Sequence, residues 1–428
     1  MVTSLLPLPG SFAATKGTPG TSNVAGAEVP FQRWYNFKEA FAPSFVEEVL
    51  ASMPYRVRTC LDPFGGCGTT ALTCQFLGVR PTTVEVNPFL ADLIEAKLTV
   101  YQAECLRADW LAVNDRRRVA ELIAEPSGPA FAGAPPTFVE PGVGARWIFD
   151  FAIARRIAAY RDAIEAVDDA ANRRLLRVLL GSVLVPVSNV VISGKGRRYR
   201  SSWQDRIRTP LDVDRLFEVA FRNAMYDVCR YGKRSCQEYT LLRGDSRVSV
   251  CDAEPADLVL FSPPYPNSFD YTDIYNVELW ALGYLRGAAD NRGLREATLR
   301  SHVQIKREFA ESDFGSPLLG NTLAQLRRVQ ASLWNRHIPS MVAAYFEDLR
   351  VVLDQARGVL SPAGQIVMVV GDSSYADVVV DVPAIVRELA PGVGLRCEEV
   401  RAVRSMRNSP QHGGALVLSE SLIRLVAA

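Results

Sequence analysis

The chain has 428 residues, 48% of them hydrophobic, and a formal net charge of +1. That length and apolar content support sizeable cores and up to three domains, while the near-neutral charge excludes a global basic field, so any nucleic-acid contact must rest on a local patch. Eight cysteines without paired metal-type spacing, beside only three histidines, read as reduced thiols of a cytoplasmic protein and offer no metal set.

Met1 to Leu8 lacks a basic n-region and contains Pro7, which argues against a signal peptide. No apolar run is long enough to span a membrane, so no membrane partner is expected. Residues 1–29, rich in Gly, Ala, Ser, Thr and Pro, read as a flexible lead-in.

The first strand is expected from Val57 to Asp62, stopped by Pro63 and by glycines at 65, 66 and 68. Thr69 through Leu77 turns helical, with Gly78 as C-cap. Such glycines let a ligand approach the main chain, and the helix behind them offers free N–H groups to an anionic group. A second strand, Thr82 to Val86, carries Glu85 where an open α/β sheet holds the carboxylate that takes ribose hydroxyls. No Gly-Lys-Ser/Thr follows, which disfavours a nucleoside-triphosphate loop, and the third glycine of a dinucleotide fingerprint is missing from its place.

The interval 105–238 is too long for one crossover. It predicts helices over Arg116 to Ala124, Ala152 to Val167 and Ala171 to Leu180, then a basic window, Ser193 to Arg208. Lys195, Arg197, Arg198, Arg200, Arg206 and Arg208, with Tyr199 and Trp203 interleaved, suit contact with a phosphate backbone. An ordinary solvated loop is the alternative.

A third strand ends near Leu242, followed by Arg243-Gly244-Asp245. A fourth, Asp257 to Phe261, is a compact apolar run that leads straight into Ser262-Pro263-Pro264-Tyr265. Two prolines fix φ and remove two N–H groups, so this is a rigid strand exit. A second insertion, about 283–339, is mixed in charge and reads as a helical wall; a fifth strand runs from Gln365 to Val370. A helix near Val382 to Leu389 and strands near Leu395 to Val403 and Ala415 to Val426 complete the chain. With the strands ordered third, second, first, fourth, fifth, the first and fourth meet at the switch point, where open α/β sheets bind ligands.

The segments DPFGGCGTT and VEVNPFLADLIEAK, together with SPPY, resemble the motifs of the amino-methylating DNA methyltransferases. The resemblance covers the sheet core in pieces and is specific in the glycine loop and in SPPY. It implies a seven-stranded, doubly wound, Rossmann-like class I methyltransferase fold with helical insertions, and S-adenosyl-L-methionine (AdoMet) as cofactor. It implies a catalytic domain of residues 30–104 and 239–428, with target recognition in 105–238. Carried over, Asp62, Phe64, Gly66, Gly68, Thr69 and Asn87 belong to the cofactor site, Glu85 holds the ribose, and Asp245 lies near the adenine. Phe37, in NFKEAFAP, belongs to a segment that closes over the methionine end. Ser262, Pro263, Pro264 and Tyr265 form the catalytic clamp, in which a carbonyl and a hydroxyl orient the target amino group and Tyr265 stacks on the flipped base. Ser at the first position points in that family to cytosine N4, whereas Asp points to adenine N6. An RNA amino-methyltransferase and a non-catalytic DNA-binding protein stay open as alternatives. No cysteine follows a proline, which disfavours methylation of a cytosine ring carbon. The implied partners are double-stranded DNA and a cognate restriction endonuclease or other defence component.

Overall fold

A computed structural model describes residues 29–37, 39–123, 129–193, 196–305, 307, 315–407 and 417–428. The expected lead-in to residue 28, Lys195 and His412 lie outside the described residues. The main sheet has seven strands: β1 (Thr59–Asp62), β2 (Arg80–Glu85), β3 (Thr240–Arg243), β4 (Ala256–Phe261), β5 (Leu360–Gly371), β6 (Leu395–Arg407) and β7 (Val417–Ala427). Their spatial order is β6-β7-β5-β4-β1-β2-β3. β3, β2, β1, β4 and β5 run parallel, while β7 pairs antiparallel with both β5 and β6. This is a doubly wound, Rossmann-like sheet, mostly parallel, with the expected strand order.

The central strands are apolar because helices cover both faces. Leu258, Val259, Leu260 and Phe261 of β4 are all fully buried. β1 lies between β2 and β4, where the winding reverses, so the loops leaving β1 and β4 open into one crevice.

The local punctuation expected from sequence is present. The helix Thr69–Leu77 ends at Gly78, whose φ of 76° is left-handed. Asn87 caps the helix Pro88–Leu98 by accepting from the amides of Phe89 and Leu90 at 3.0 and 3.3 Å.

The long insertion contributes the helices Ala103–Ile123, Phe151–Glu165, Ala170–Val187 and Pro210–Tyr231. These share one core with Phe89 and Leu93 of the sheet-covering helix Pro88–Leu98. Gly181 is the close-approach point: a Cβ there would stand 2.5 Å from the Phe89 ring. Pro210–Tyr231 was not anticipated, although its signal is local. Thr209 and Asp212 form a capping box, and Pro210 stands in the first turn. The basic window, for which an ordinary solvated loop was the alternative, begins in a hairpin in which Val190–Ser193 pairs with Gly196–Tyr199. The second insertion is helical, with Ala288–Glu296 and Pro317–Arg328 leading into Ile338–Gly358. Among the described residues no helix is long and apolar enough to cross a membrane.

Candidate active site

A cavity of about 450 Å³ opens at the carboxyl ends of β1, β2 and β4. That volume suits one small organic ligand and its reaction partner. Its floor is the loop after β1. The Gly65 amide donates to the Val84 carbonyl at 2.9 Å, which ties the loop to β2. Gly66 has φ of 52°, and a Cβ there would press on the Phe37 ring at 3.2 Å. Gly68, at φ of 78°, starts the helix Thr69–Leu77 and abuts Ile94. Main chain alone therefore faces the cavity at the turn.

Two buried carboxylates frame this loop. Asp62 accepts the Phe64 amide at 2.9 Å. Glu85 accepts the Gly66 amide at 2.8 Å through one oxygen and the Asn87 amide at 2.7 Å through the other. Burial pushes the Asp62 carboxyl up to about 6 and that of Glu85 up to about 7, against the hydrogen bonds that favour their ionised forms. Each Glu85 oxygen keeps a second acceptor position. Beneath the loop the fully buried Lys97 donates to the Cys67 carbonyl at 2.7 Å and to Gln32 at 3.0 Å, and Thr69 donates to the same Gln32 oxygen at 3.3 Å.

Across the cavity stand Ser262, Pro263, Pro264 and Tyr265, delivered by β4. Phe261, the last residue of that strand, packs on Phe64 with ring centroids 5.6 Å apart. The two motifs thus touch through their own side chains. Ser262 donates to the Tyr265 hydroxyl at 3.3 Å, and Tyr265 donates to Glu420 at 2.9 Å. Glu420 comes from β7, is almost wholly buried, and meets Arg404 of β6 at 2.8 Å.

The remaining wall is aromatic. Phe37 stacks on Tyr275, with centroids 5.3 Å apart and planes 3° from parallel, and Tyr275 donates to Glu39 at 2.9 Å. Phe37, Phe64, Thr69, Glu85 and Asn87 all line the cavity, as does Asp62. The buried His302 also reaches it, 3.9 Å from Asp270, and burial pushes its imidazole down to about 4, so it is neutral near pH 7.

Asp245 is placed differently from the expectation. Its carboxylate caps the short helix Ser246–Ser249 and holds Arg247 at 2.6 Å, while Arg247 reaches on to Asp348. The neighbouring Ser246 lines the cavity instead. The residues proposed for DNA also divide by their contacts. Arg200 donates to the carbonyls of Val185 and Ser188, and Arg206 to those of Pro186 and Ser188, so both satisfy the end of the helix Ala170–Val187. Arg208 pairs with Asp212 at 3.6 Å. Arg197 lies over the Phe138 ring, Arg198 is exposed, and Tyr199 packs on Trp203.

Sequence reasoning missed Glu420, although it is the one acid in a mainly apolar strand segment, Ala415 to Val426, which is itself a signal.

No family model matches the chain. Among solved structures, an rRNA methyltransferase, aviRa, from Streptomyces viridochromogenes is 11% identical, covering 96% of this chain and 88% of its own, at a TM-score of 0.28. The glycopeptide N-methyltransferase MtfA complexed with (S)-adenosyl-L-methionine is 10% identical over 90% of this chain and 87% of its own, also at 0.28. At those scores the likeness carries no weight, and the fold rests on the strand order itself. Sequence identity is higher to two Type II methyltransferases. The chain is 24% identical over 430 aligned residues to the Type II methyltransferase M.AvaI of Nostoc sp. (strain PCC 7120 / SAG 25.82 / UTEX 2576), covering 91% of this chain and 84% of that protein. It is 23% identical over 429 aligned residues to the Type II methyltransferase M.BsoBI of Geobacillus stearothermophilus, covering 89% of this chain and 82% of that protein.

Proposed function

We propose that the chain is an AdoMet-dependent, site-specific DNA methyltransferase that modifies the exocyclic N4 of cytosine in duplex DNA. One observation carries the reading: the glycine loop with its buried carboxylate, Glu85, and the rigid Ser262–Tyr265 clamp line a single cavity. Similarity to Type II methyltransferases along nine-tenths of the chain supports it.

The residues present fit the cofactor. Gly66 lines the cavity with main chain, Glu85 has acceptor positions for ribose hydroxyls, and Phe37 covers the loop. Bound AdoMet supplies an electrophilic methyl group on a sulfonium centre. The protein's task is then to orient and desolvate. Pro263 and Pro264 hold the strand exit stiff, Ser262 and nearby carbonyls accept the amino hydrogens, and the Tyr265 ring supports a flipped base. Direct transfer of this kind uses no covalent enzyme intermediate, in keeping with a loop whose Cys67 thiol is buried and hydrogen-bonded to Gln32 and Thr69. Ser262 at the first clamp position favours cytosine. The hairpin with Arg197 and Arg198 serves as the phosphate-contacting surface of the recognition region 105–238. A cognate restriction endonuclease in the same cytoplasm is the expected counterpart of a Type II methyltransferase.

The test is mass spectrometry of nucleosides from unmethylated duplex DNA incubated with the protein and isotope-labelled AdoMet. Label in N4-methylcytosine supports the reading. Label in N6-methyladenine overturns the base assignment, and label only in RNA overturns the substrate class.

A further inference from the structure

We propose that Glu420 is the terminal proton acceptor of a hydroxyl wire, Ser262–Tyr265–Glu420, that drains the target amino group as it is methylated. The inference rests on the amino-methylating reading above. Three observations lead to it. The wire is continuous, with Ser262 donating to Tyr265 at 3.3 Å and Tyr265 donating to Glu420 at 2.9 Å. Both hydroxyls point their hydrogens toward Glu420, so the free lone pairs of Ser262 face the cavity, where an amino N–H is to be received. The end of the wire is a carboxylate held against Arg404, whose guanidinium lies 2.8 Å from one oxygen and 3.0 Å from the other.

The stoichiometry requires such an outlet. The amino nitrogen forms a bond to the methyl carbon, the carbon–sulfur bond breaks, and its electron pair stays on sulfur. The nitrogen then carries one proton too many. Ser262 accepts it and passes its own hydroxyl proton to Tyr265, Tyr265 passes its proton to Glu420, and Glu420 ends as the neutral acid, to be reset by solvent. Burial, and then the negative charge of Glu420, hold the Tyr265 phenol protonated far above its ordinary range, so it shuttles and does not ionise. Besides Tyr265 on the β4 side, Glu420 faces Arg404 on β6; Asp372, one residue beyond its β5 partner Gly371, accepts the amide of the preceding residue, Ser419. A role in stability alone gives little reason for this arrangement, since apolar residues of similar volume often do as well as a buried ion pair.

The experiment compares wild type, Glu420→Gln, Glu420→Asp, Tyr265→Phe and the double variant Tyr265→Phe/Glu420→Gln. Single-turnover methylation of duplex DNA is followed across pH, beside AdoMet affinity and urea unfolding of the cofactor-free proteins. Each single neutral variant is expected to lose about 100-fold in rate, within the span of general acid–base catalysis. Both change the rate–pH profile in the same way, because the acceptor carboxylate is no longer reached. The double variant should be no slower than either single one, and Glu420→Asp should recover part of the rate. AdoMet affinity stays unchanged, and unfolding shows the Tyr265–Glu420 coupling without cofactor. Tyr265→Phe leaves the ion pair intact, so it tests the wire even if Glu420→Gln folds poorly. An active wild type with unaltered rates and pH profiles in these variants overturns the wire alone. A wild type that methylates no DNA removes the functional reading and the wire with it.

Discussion

The carboxylate of Glu85 grips the amide of Gly66 at 2.8 Å, so the second strand of the sheet holds the turn that leaves the first. The same side chain accepts the Asn87 amide through its other oxygen. One buried group therefore sets the spacing between the glycine loop and the start of the next helix, and it does so while facing the cavity.

That placement makes cofactor binding sensitive to pH. Burial raises Glu85 to about 7 and Asp62 to about 6. A carboxyl raised on folding stabilises the cofactor-free protein most below its unfolded value, and that contribution is lost as pH rises through the folded value. The melting temperature of the cofactor-free protein should fall over roughly pH 4 to 7, between the ordinary carboxyl range and the folded values of about 6 and 7. Ribose hydroxyls donate to the ionised form, so AdoMet affinity should rise over the same range, with proton release in calorimetry. Glu85→Gln should weaken binding by about 10- to 100-fold, the worth of hydrogen bonds to a charged group, and leave a smaller dependence centred near Asp62.

The two adjacent glycines should fail in different ways. A Cβ on Gly65 would stand 2.2 Å from the Thr83 methyl and 2.9 Å from Ile94. Gly65→Ala should therefore cost about 1–3 kcal/mol of folding stability through overpacking. Gly66→Ala meets Phe37 at 3.2 Å on a left-handed backbone, with smaller strain of about 1–2 kcal/mol. Its main effect should be on AdoMet affinity. Thermal melts and cofactor titrations on the two variants separate these outcomes.

Lys97 should prove a support of the loop. It is wholly buried and donates to the Cys67 carbonyl and to Gln32. Lys97→Met keeps the volume, leaves the Cys67 carbonyl without its donor and leaves the Gln32 oxygen to Thr69, at a cost of about 1–3 kcal/mol. Denaturant unfolding measures that cost. AdoMet affinity should fall as well, since the loop it steadies lines the cavity.

On the nucleic-acid side, Arg197→Gln with Arg198→Gln should reduce the slope of log affinity against log salt by about 1.8, the release expected from two phosphate contacts. Arg200→Gln should act chiefly on stability, because its guanidinium satisfies carbonyls of Val185 and Ser188. Binding to duplex DNA at several salt concentrations, beside thermal melts, checks both statements. An unchanged slope places the phosphate surface elsewhere.

What could be read in advance follows from the range of the interaction. Gly78 and the two prolines after Ser262 act on backbone within a few residues, so the helix Thr69–Leu77, its cap and the β4 exit were legible. Strand order followed as well, because winding rules constrain it once the strands are known. The helix Pro210–Tyr231 was equally local and was simply overlooked. Glu420 is another matter. Its partner Tyr265 lies 155 residues away, and the meeting depends on β7 inserting next to β5. Asp245 shows the reverse failure: its spacing suggested a ligand, whereas Arg247, two residues on, captures the carboxylate.

The place of β7 also bears on timing. It follows β6 in the chain yet lies between β6 and β5, so β6 has no sheet to join until β7 has docked. During synthesis, β1 through β5 emerge first, with the cofactor loop and the clamp already present, while the edge of β5 stays open. Closing that edge brings Glu420 and Arg404 to the clamp in one event. A nascent chain would therefore carry the AdoMet half of the site before the proton outlet. Methylating competence would arrive as a single late step, with the final strand acting as the latch of the whole assembly.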